Sequence, residues 1–377
     1  MRLIINLRRA AFSLGCLLAV LALIAGGCGN DDAADTSGTP TVVPTTPIDT
    51  PAVVVTTSIW GDVVANVACD GLADVTTLIP PGGDPHAFQP SLQDRGRMES
   101  AALVVTNGLH LEEGLEDTLE AVEESGTPVF HMADHISTIE YGSMNRDEHE
   151  DEHGHEDDEH EDEHGHEDDE HEDEHGHEDD EHEDEHGHED DEHEDEHGHA
   201  HGGADPHVWF DPIRVADALP ALSQALATQA GLDAGALQEC VAAYRSELIA
   251  LDAEVEEILA PLHSEDRLLI TNHDALGYFA NRYGFQLIGT VIPGGSTLAE
   301  ANPAGLQELV HLIEETGVAA IFSETTHSTD DADALGRAAG VKVLSLNTGS
   351  LGPAGSGADT YIGFMRTNAQ VIIEGLG

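Results

Sequence analysis

The segment between His149 and His201 limits what this chain can fold into more than any other feature of its 377 residues. The unit EDEHGHEDDEH recurs with a period of eleven, and no apolar residue occurs before Ala200. Such a segment buries too little surface to offset chain entropy, so it is expected to be disordered in the absence of metal. An eleven-residue period also suits a supercoiled helix, but that needs an apolar seam, and the repeat has none. Folded structure must come from the stretches on either side, 52–146 and 202–377, with 147–201 as an insert between them.

Both stretches alternate short β-branched runs with helical spacing. In the first, Val53–Thr57, Val75–Ile79, Leu103–Thr106 and Pro128–His131 read as strands, and Trp60–Cys69 reads as a helix. In the second, Leu268–Thr271, Gln286–Val291, Ala319–Ser323 and Val341–Leu346 are the strands. Strands alternating with helices imply parallel sheets with crossover connections. The expected fold class is therefore α/β, with two similar lobes and mainly parallel sheets. The first lobe takes 52–146 and closes with 202–232; the second takes 264–377. Between them 233–263 is a long amphipathic pattern, opened by Asp233 as a cap and closed near Pro261. One long rigid helix joining two lobes is a stiff hinge that favours small closing motions.

At the N-terminus, Arg2, Arg8 and Arg9 flank the apolar run from Ala10 to Ala25, and small residues precede Cys28. This is the layout of a secretory signal. A cysteine directly after the small residues resembles a bacterial lipobox, with 1–28 as the signal and Cys28 as the lipidated residue. An ordinary secretory signal with an incidental cysteine, or a single membrane-anchoring helix, are the alternatives. Residues 29–51, rich in Asp, Thr, Pro and Ser, read as a disordered tether. The expected location is extracytoplasmic, anchored to the cell membrane by an N-terminal lipid. A disulfide between Cys69 and Cys240 is permitted there, although two separately buried thiols fit the sequence equally.

The formal charge is −62, with 13 Lys and Arg together and Lys342 as the single lysine. Nucleic-acid binding needs a basic face to replace phosphate counterions, so it is excluded. Acidic surfaces attract cations instead. More than half of the charge lies in the insert, so it describes that segment more than the fold.

Three histidines outside the repeat share a setting in polar loops: His86 in PPGGDPHAFQP, His207 in GADPHVWFDP and His273 in LLITNHDALGYF. Loops at the carboxyl ends of parallel strands are where open α/β sheets bind ligands, which gives these imidazoles a reason to converge. Asp-Pro-His occurs twice, at 84–86 and 205–207, where the proline stiffens the approach and the histidine is presented at a turn. Asp211 and Asp274 are candidates to orient the imidazole rings as hydrogen-bond acceptors. Trp209 and Phe210 are expected to wall the site. His110, His131, His135, His263, His311 and His327 lack a matching motif and are expected to be surface or structural residues, so that His327→Ala leaves binding unchanged.

The motifs TTSIWGDVVANVACD, IPPGGDPHAFQPS, VVTNGLHLEEGLED, DPHVWFDP, ITNHDALGYFANRYG and ADTYIGFMRTNAQVI together resemble the metal-binding cluster of ABC-transporter solute-binding proteins, in its zinc-uptake branch. The resemblance covers about 52–142 and 203–377. A His- and acid-rich insert just before DPHVWFDP is also typical of zinc members. The resemblance implies two α/β lobes bridged by a long helix, one Zn2+ held as transported cargo by His86, His207 and His273, and delivery to a permease by a monomer. It implies no enzymatic activity. Family members commonly add an Asp or Glu after the last strand, but here the turn reads Asn347-Thr348-Gly349-Ser350. The fourth position is then expected to be water, with Glu324 and Asp359 as protein candidates. Three neutral imidazoles favour zinc, whereas manganese normally recruits more carboxylate oxygen.

The insert offers low-affinity sites through His153, His155, His164, His166, His175, His177, His186, His188, His197 and His199, as a metal scavenger or sensor. Its bland alternative is a solvated acidic spacer. Manganese, cobalt or nickel as cargo, or a metal-storing surface adhesin, are the other functional readings. A zinc hydrolase would need a general base at the metal, and His-Glu-x-x-His occurs only inside the repeat, as at 149–153, and not in the stretches expected to fold.

Overall fold

Valine runs are stiff at χ1 and suit a pleated surface, and the first of them opens the first lobe. The structure is a computed structural model that describes residues 50–141 and 203–377. Cys28 and the imidazoles from His153 to His199 lie outside the described residues, as do the expected signal and insert.

The first lobe contains β1 (Ala52–Val55), α1 (Ser58–Val67), α2 (Cys69–Leu72), β2 (Asp74–Thr77), α3 (Leu92–Glu99), β3 (Leu103–Thr106), α4 (Glu116–Glu124) and β4 (Val129–His131). All its strand pairs are parallel, in the order β2-β1-β3-β4. Val53 and Val55 face one apolar layer and Val54 faces the other. A parallel sheet covered on both faces requires such continuous apolar strands rather than alternating ones. After residue 203 the chain adds α5 (Pro212–Thr228) and then α6 (Ala234–Leu259), 26 residues long.

The second lobe repeats the plan with β5 (Leu268–Thr271), α7 (Gly277–Tyr283), β6 (Gln286–Thr290), α8 (Pro303–Thr316), β7 (Ala320–Glu324), α9 (Asp330–Ala339), β8 (Lys342–Leu346) and α10 (Tyr361–Leu376). Its order is β6-β5-β7-β8, again with parallel pairing. The two sheets therefore share one topology, and each reverses its winding beside its first strand. Crevices at the carboxyl ends of strands at such a reversal are where these sheets hold ligands.

The helix expected from 233 to 263 is α6. Asp233 accepts the Ala236 N–H at 2.8 Å and starts it. Leu237, Val241, Tyr244, Leu248, Leu251, Val255 and Leu259 form its buried stripe at spacings of three and four. At 1.5 Å per residue it is about 39 Å long. It packs on α1 and α5 of the first lobe and α10 of the second. One apolar cluster runs through both lobes, taking in Val53, Trp60, Leu219, Leu248, Phe279, Phe322 and Phe364. Cys69 and Cys240 form a disulfide that ties α2 to α6.

Candidate metal centre

His86 follows β2, His207 precedes the short turn Val208–Phe210 at the head of α5, and His273 lies two residues beyond β5. The three are buried, at 3%, 0% and 2% exposure, and their ligating atoms all lie within 4.8 Å of one another. His86 Nε2 stands 3.4 Å from His207 Nε2, and His273 Nε2 stands 3.1 Å from the same nitrogen. Two nitrogens bonded to one tetrahedral zinc ion are about 3.3 Å apart, given bonds of about 2.05 Å. The spacing matches a shared cation.

Each ring is held by a carboxylate on its other nitrogen. Glu113 Oε1 lies 3.3 Å from His86 Nδ1, Asp205 Oδ1 lies 2.8 Å from His207 Nδ1, and Glu324 Oε1 pairs with His273 Nδ1. A proton on Nδ1 leaves the lone pair on Nε2, so the carboxylates fix both the tautomer and the ring plane. The carboxylates are anchored in turn: Glu113 accepts from Ser296 Oγ at 2.5 Å and Glu324 Oε2 from Thr348 Oγ1 at 2.8 Å.

Burial dominates the electrostatics. It pushes His207 well below the usual imidazole range, helped by the charges of His273 and His86, and pushes Asp205 up to about 7. Burial would also lower His273, but the Glu324 charge and hydrogen bond outweigh it and raise that pKa, while His273 holds Glu324 below its usual range. An arriving cation must displace whatever proton the His273–Glu324 pair retains.

The Asp-Pro-His repetition has a mechanism that the sequence reading assigned to proline alone. Asp84 Oδ1 accepts the His86 N–H at 3.0 Å, and Asp205 Oδ1 accepts the His207 N–H at 2.9 Å. Each aspartate turns the backbone by capturing the N–H two residues on. The first lobe supports His207 from beneath: Asn107 Nδ2 donates to Pro206 O at 2.9 Å, Trp60 Nε1 donates to Asn107 Oδ1 at 2.8 Å, and Glu112 Oε1 accepts from Asn107 N and Thr56 Oγ1.

Several expectations need correction. Glu324 is not a fourth donor, because it occupies the His273 nitrogen that faces away from the convergence point. Asp359 is exposed and accepts the Gly355 N–H. Among the described residues Asp211 orients no imidazole; it caps α5 through Ile213 N and Arg214 N and pairs with Arg214. Asp274 is raised to about 6 by burial and by Asp205, and among the described residues no hydrogen bond joins its carboxylate to an imidazole. His327 is not idle surface: its Nε2 lies 3.0 Å from Asp84 Oδ2. Trp209 does wall the site, with its ring edge-on to His207 at 5.4 Å and its Nε1 donating to Thr348 O, whereas Phe210 packs among Phe279 and Phe364 in the core.

The family model for the zinc-uptake complex component A, periplasmic, matches residues 53–375. The chain belongs to that family. It is similar to the zinc-binding protein TroA of Treponema pallidum (strain Nichols), 26% identical over 86% of this chain and 89% of that one. It is also similar to the manganese-binding lipoprotein MntA of Halalkalibacterium halodurans, 24% identical over 98% and 99%. The solved structure of the periplasmic zinc-binding protein TroA from Treponema pallidum superimposes with a TM-score of 0.65, covering 87% of this chain and 99% of that chain. As a member of the zinc-uptake component A family, the chain is the metal-binding, substrate-binding component of an ABC importer and not an enzyme. Its cargo is a divalent cation, and its partner is the importer's membrane permease and ATPase. Among the described residues no helix is long and apolar enough to cross a membrane.

Proposed function

We propose that the protein captures zinc outside the cytoplasm and hands it to the permease, with His86, His207 and His273 as the ligands. The observation that carries this reading is the donor set: three buried Nε2 atoms face one point, and Glu113, Asp205 and Glu324 each hold one of the rings at Nδ1. An all-imidazole set suits zinc, whereas manganese favours oxygen donors. Water completes the fourth position. Cys28 carries the lipid that keeps the monomer at the membrane.

The insert gathers metal for this site. The chain leaves the described structure at Tyr141 and returns at Gly203, where Tyr141 N donates to Gly203 O at 3.2 Å and Glu140 bridges Ala204. Both residues line a cavity of about 600 Å³ together with His86 and Glu113. The two points from which the insert departs therefore lie beside the crevice.

Metal analysis of the full chain purified without chelators, followed by zinc–manganese competition, tests the reading. Zinc should be retained and should displace manganese, and His86→Ala, His207→Ala and His273→Ala should each weaken zinc by more than about 100-fold. Manganese winning the competition, or wild-type affinity in these variants, would refute it. Deleting 147–201 should lower total zinc and leave one tight site; loss of the tight site would refute the gathering role.

A further inference from the structure

Two carboxylates position His86, and both are held from the opposite lobe by one short loop. Asp84 receives the His86 backbone N–H on Oδ1, and on Oδ2 it receives Thr297 Oγ1 at 2.8 Å and His327 Nε2 at 3.0 Å. Glu113 Oε1 faces His86 Nδ1 and also accepts from Ser296 Oγ. Ser296, Thr297 and His327 belong to the second lobe, yet none of them is among the converging ligands.

The loop is pinned where it crosses. Thr297 is 6% exposed. A Cβ at Gly295 would lie 2.0 Å from the Tyr141 ring, so a larger residue there would displace that ring. Gly294 O accepts the N–H of Asp274, which neighbours His273. The same few residues thus touch the supports of a first-lobe ligand and the backbone beside the second-lobe ligand.

We propose that Ser296, Thr297 and His327 form a latch between the lobes that fixes Asp84 and Glu113, and through them His86, and so sets how long the cation stays bound. These are positioning residues. This inference rests on the three-histidine site proposed above. Closing the lobes around the ion aligns His86 with the other two imidazoles, and the latch keeps that alignment until it is opened from outside. Losing it allows His86 to swing away, so dissociation accelerates while the encounter of ion and open crevice is unchanged.

Zinc release from the full chain into excess chelator, followed by the fluorescence of Trp209 beside His207, tests the latch, since the repeat contains no tryptophan. Thr297→Val and Ser296→Ala should each speed the tryptophan-reported release by about tenfold, the effect of losing one hydrogen bond to a carboxylate. Association should stay within about twofold of wild type, and Thr297→Ser, which retains the hydroxyl, should restore slow release. A purely structural role would lower the unfolding midpoint and leave release unchanged. Ser296→Ala, a small truncation at a half-buried site, keeps the test available if Thr297→Val fails to fold. Wild-type release rates in Ser296→Ala and His327→Leu, together with weakened zinc binding in a separate His86→Ala variant, would overturn the latch alone. Unaltered zinc binding in His86→Ala would overturn the site itself and the latch with it.

Discussion

An imidazole offers a cation only the nitrogen that has no proton, so the carboxylates on Nδ1 matter as much as the rings. Asp205→Asn and Glu324→Gln should each weaken zinc by about 10–100-fold in a chelator-competition titration, without removing a ligand. Asp211→Ala should leave that affinity intact and lower stability by about 1 kcal/mol, the cost of a lost N-cap, measured by urea unfolding. At this scale the sequence was legible in part. The three imidazoles stood out because Asp-Pro-His recurs and because each follows a strand or precedes a helix. Their partners were harder to read: Glu113 lies 27 residues from His86, and Glu324 lies 51 residues from His273. Glu324 was identified and given the wrong role, since a sequence shows that a carboxylate is available but not which side of a ring it takes.

Among the elements, α6 is the one whose position follows most directly from its pattern, because its apolar stripe repeats without a breaker up to Pro261. What the pattern could not give is what ties it down. Asp252, 6% exposed on α6, receives Arg282 Nε at 2.7 Å and Tyr283 Oη at 3.2 Å from α7. Asp252→Ala leaves these donors without a partner and should cost about 2 kcal/mol, read from the thermal midpoint of the metal-free protein. The Cys69–Cys240 bridge closes a span of 171 residues. Replacing both cysteines by serine should lower stability by about 3–5 kcal/mol and leave zinc affinity unchanged, because the bridge lies away from the imidazoles. Neither the bridge nor the passage of α5 through Pro220 could be read from local spacing. Both depend on what packs around them.

Across the whole molecule, two lobes and parallel sheets were legible because alternating strands and helices leave few other arrangements. The single apolar cluster shared by both lobes was not, since it depends on how α1, α5, α6 and α10 meet. Calorimetry should therefore show one cooperative unfolding transition instead of two, and zinc at about 100 times its dissociation constant should raise the stability of the whole by about 2.7 kcal/mol. Resolved transitions for the two lobes would show that the shared layer does not couple them.

That layer also limits how such a protein can be recombined. The gap between the sheets invites a cut there, with one half exchanged for a relative's to alter cargo preference. Any such graft splits a continuous hydrophobic seam, and the new partner would have to reproduce the matching surfaces of α5, α6 and α10 together.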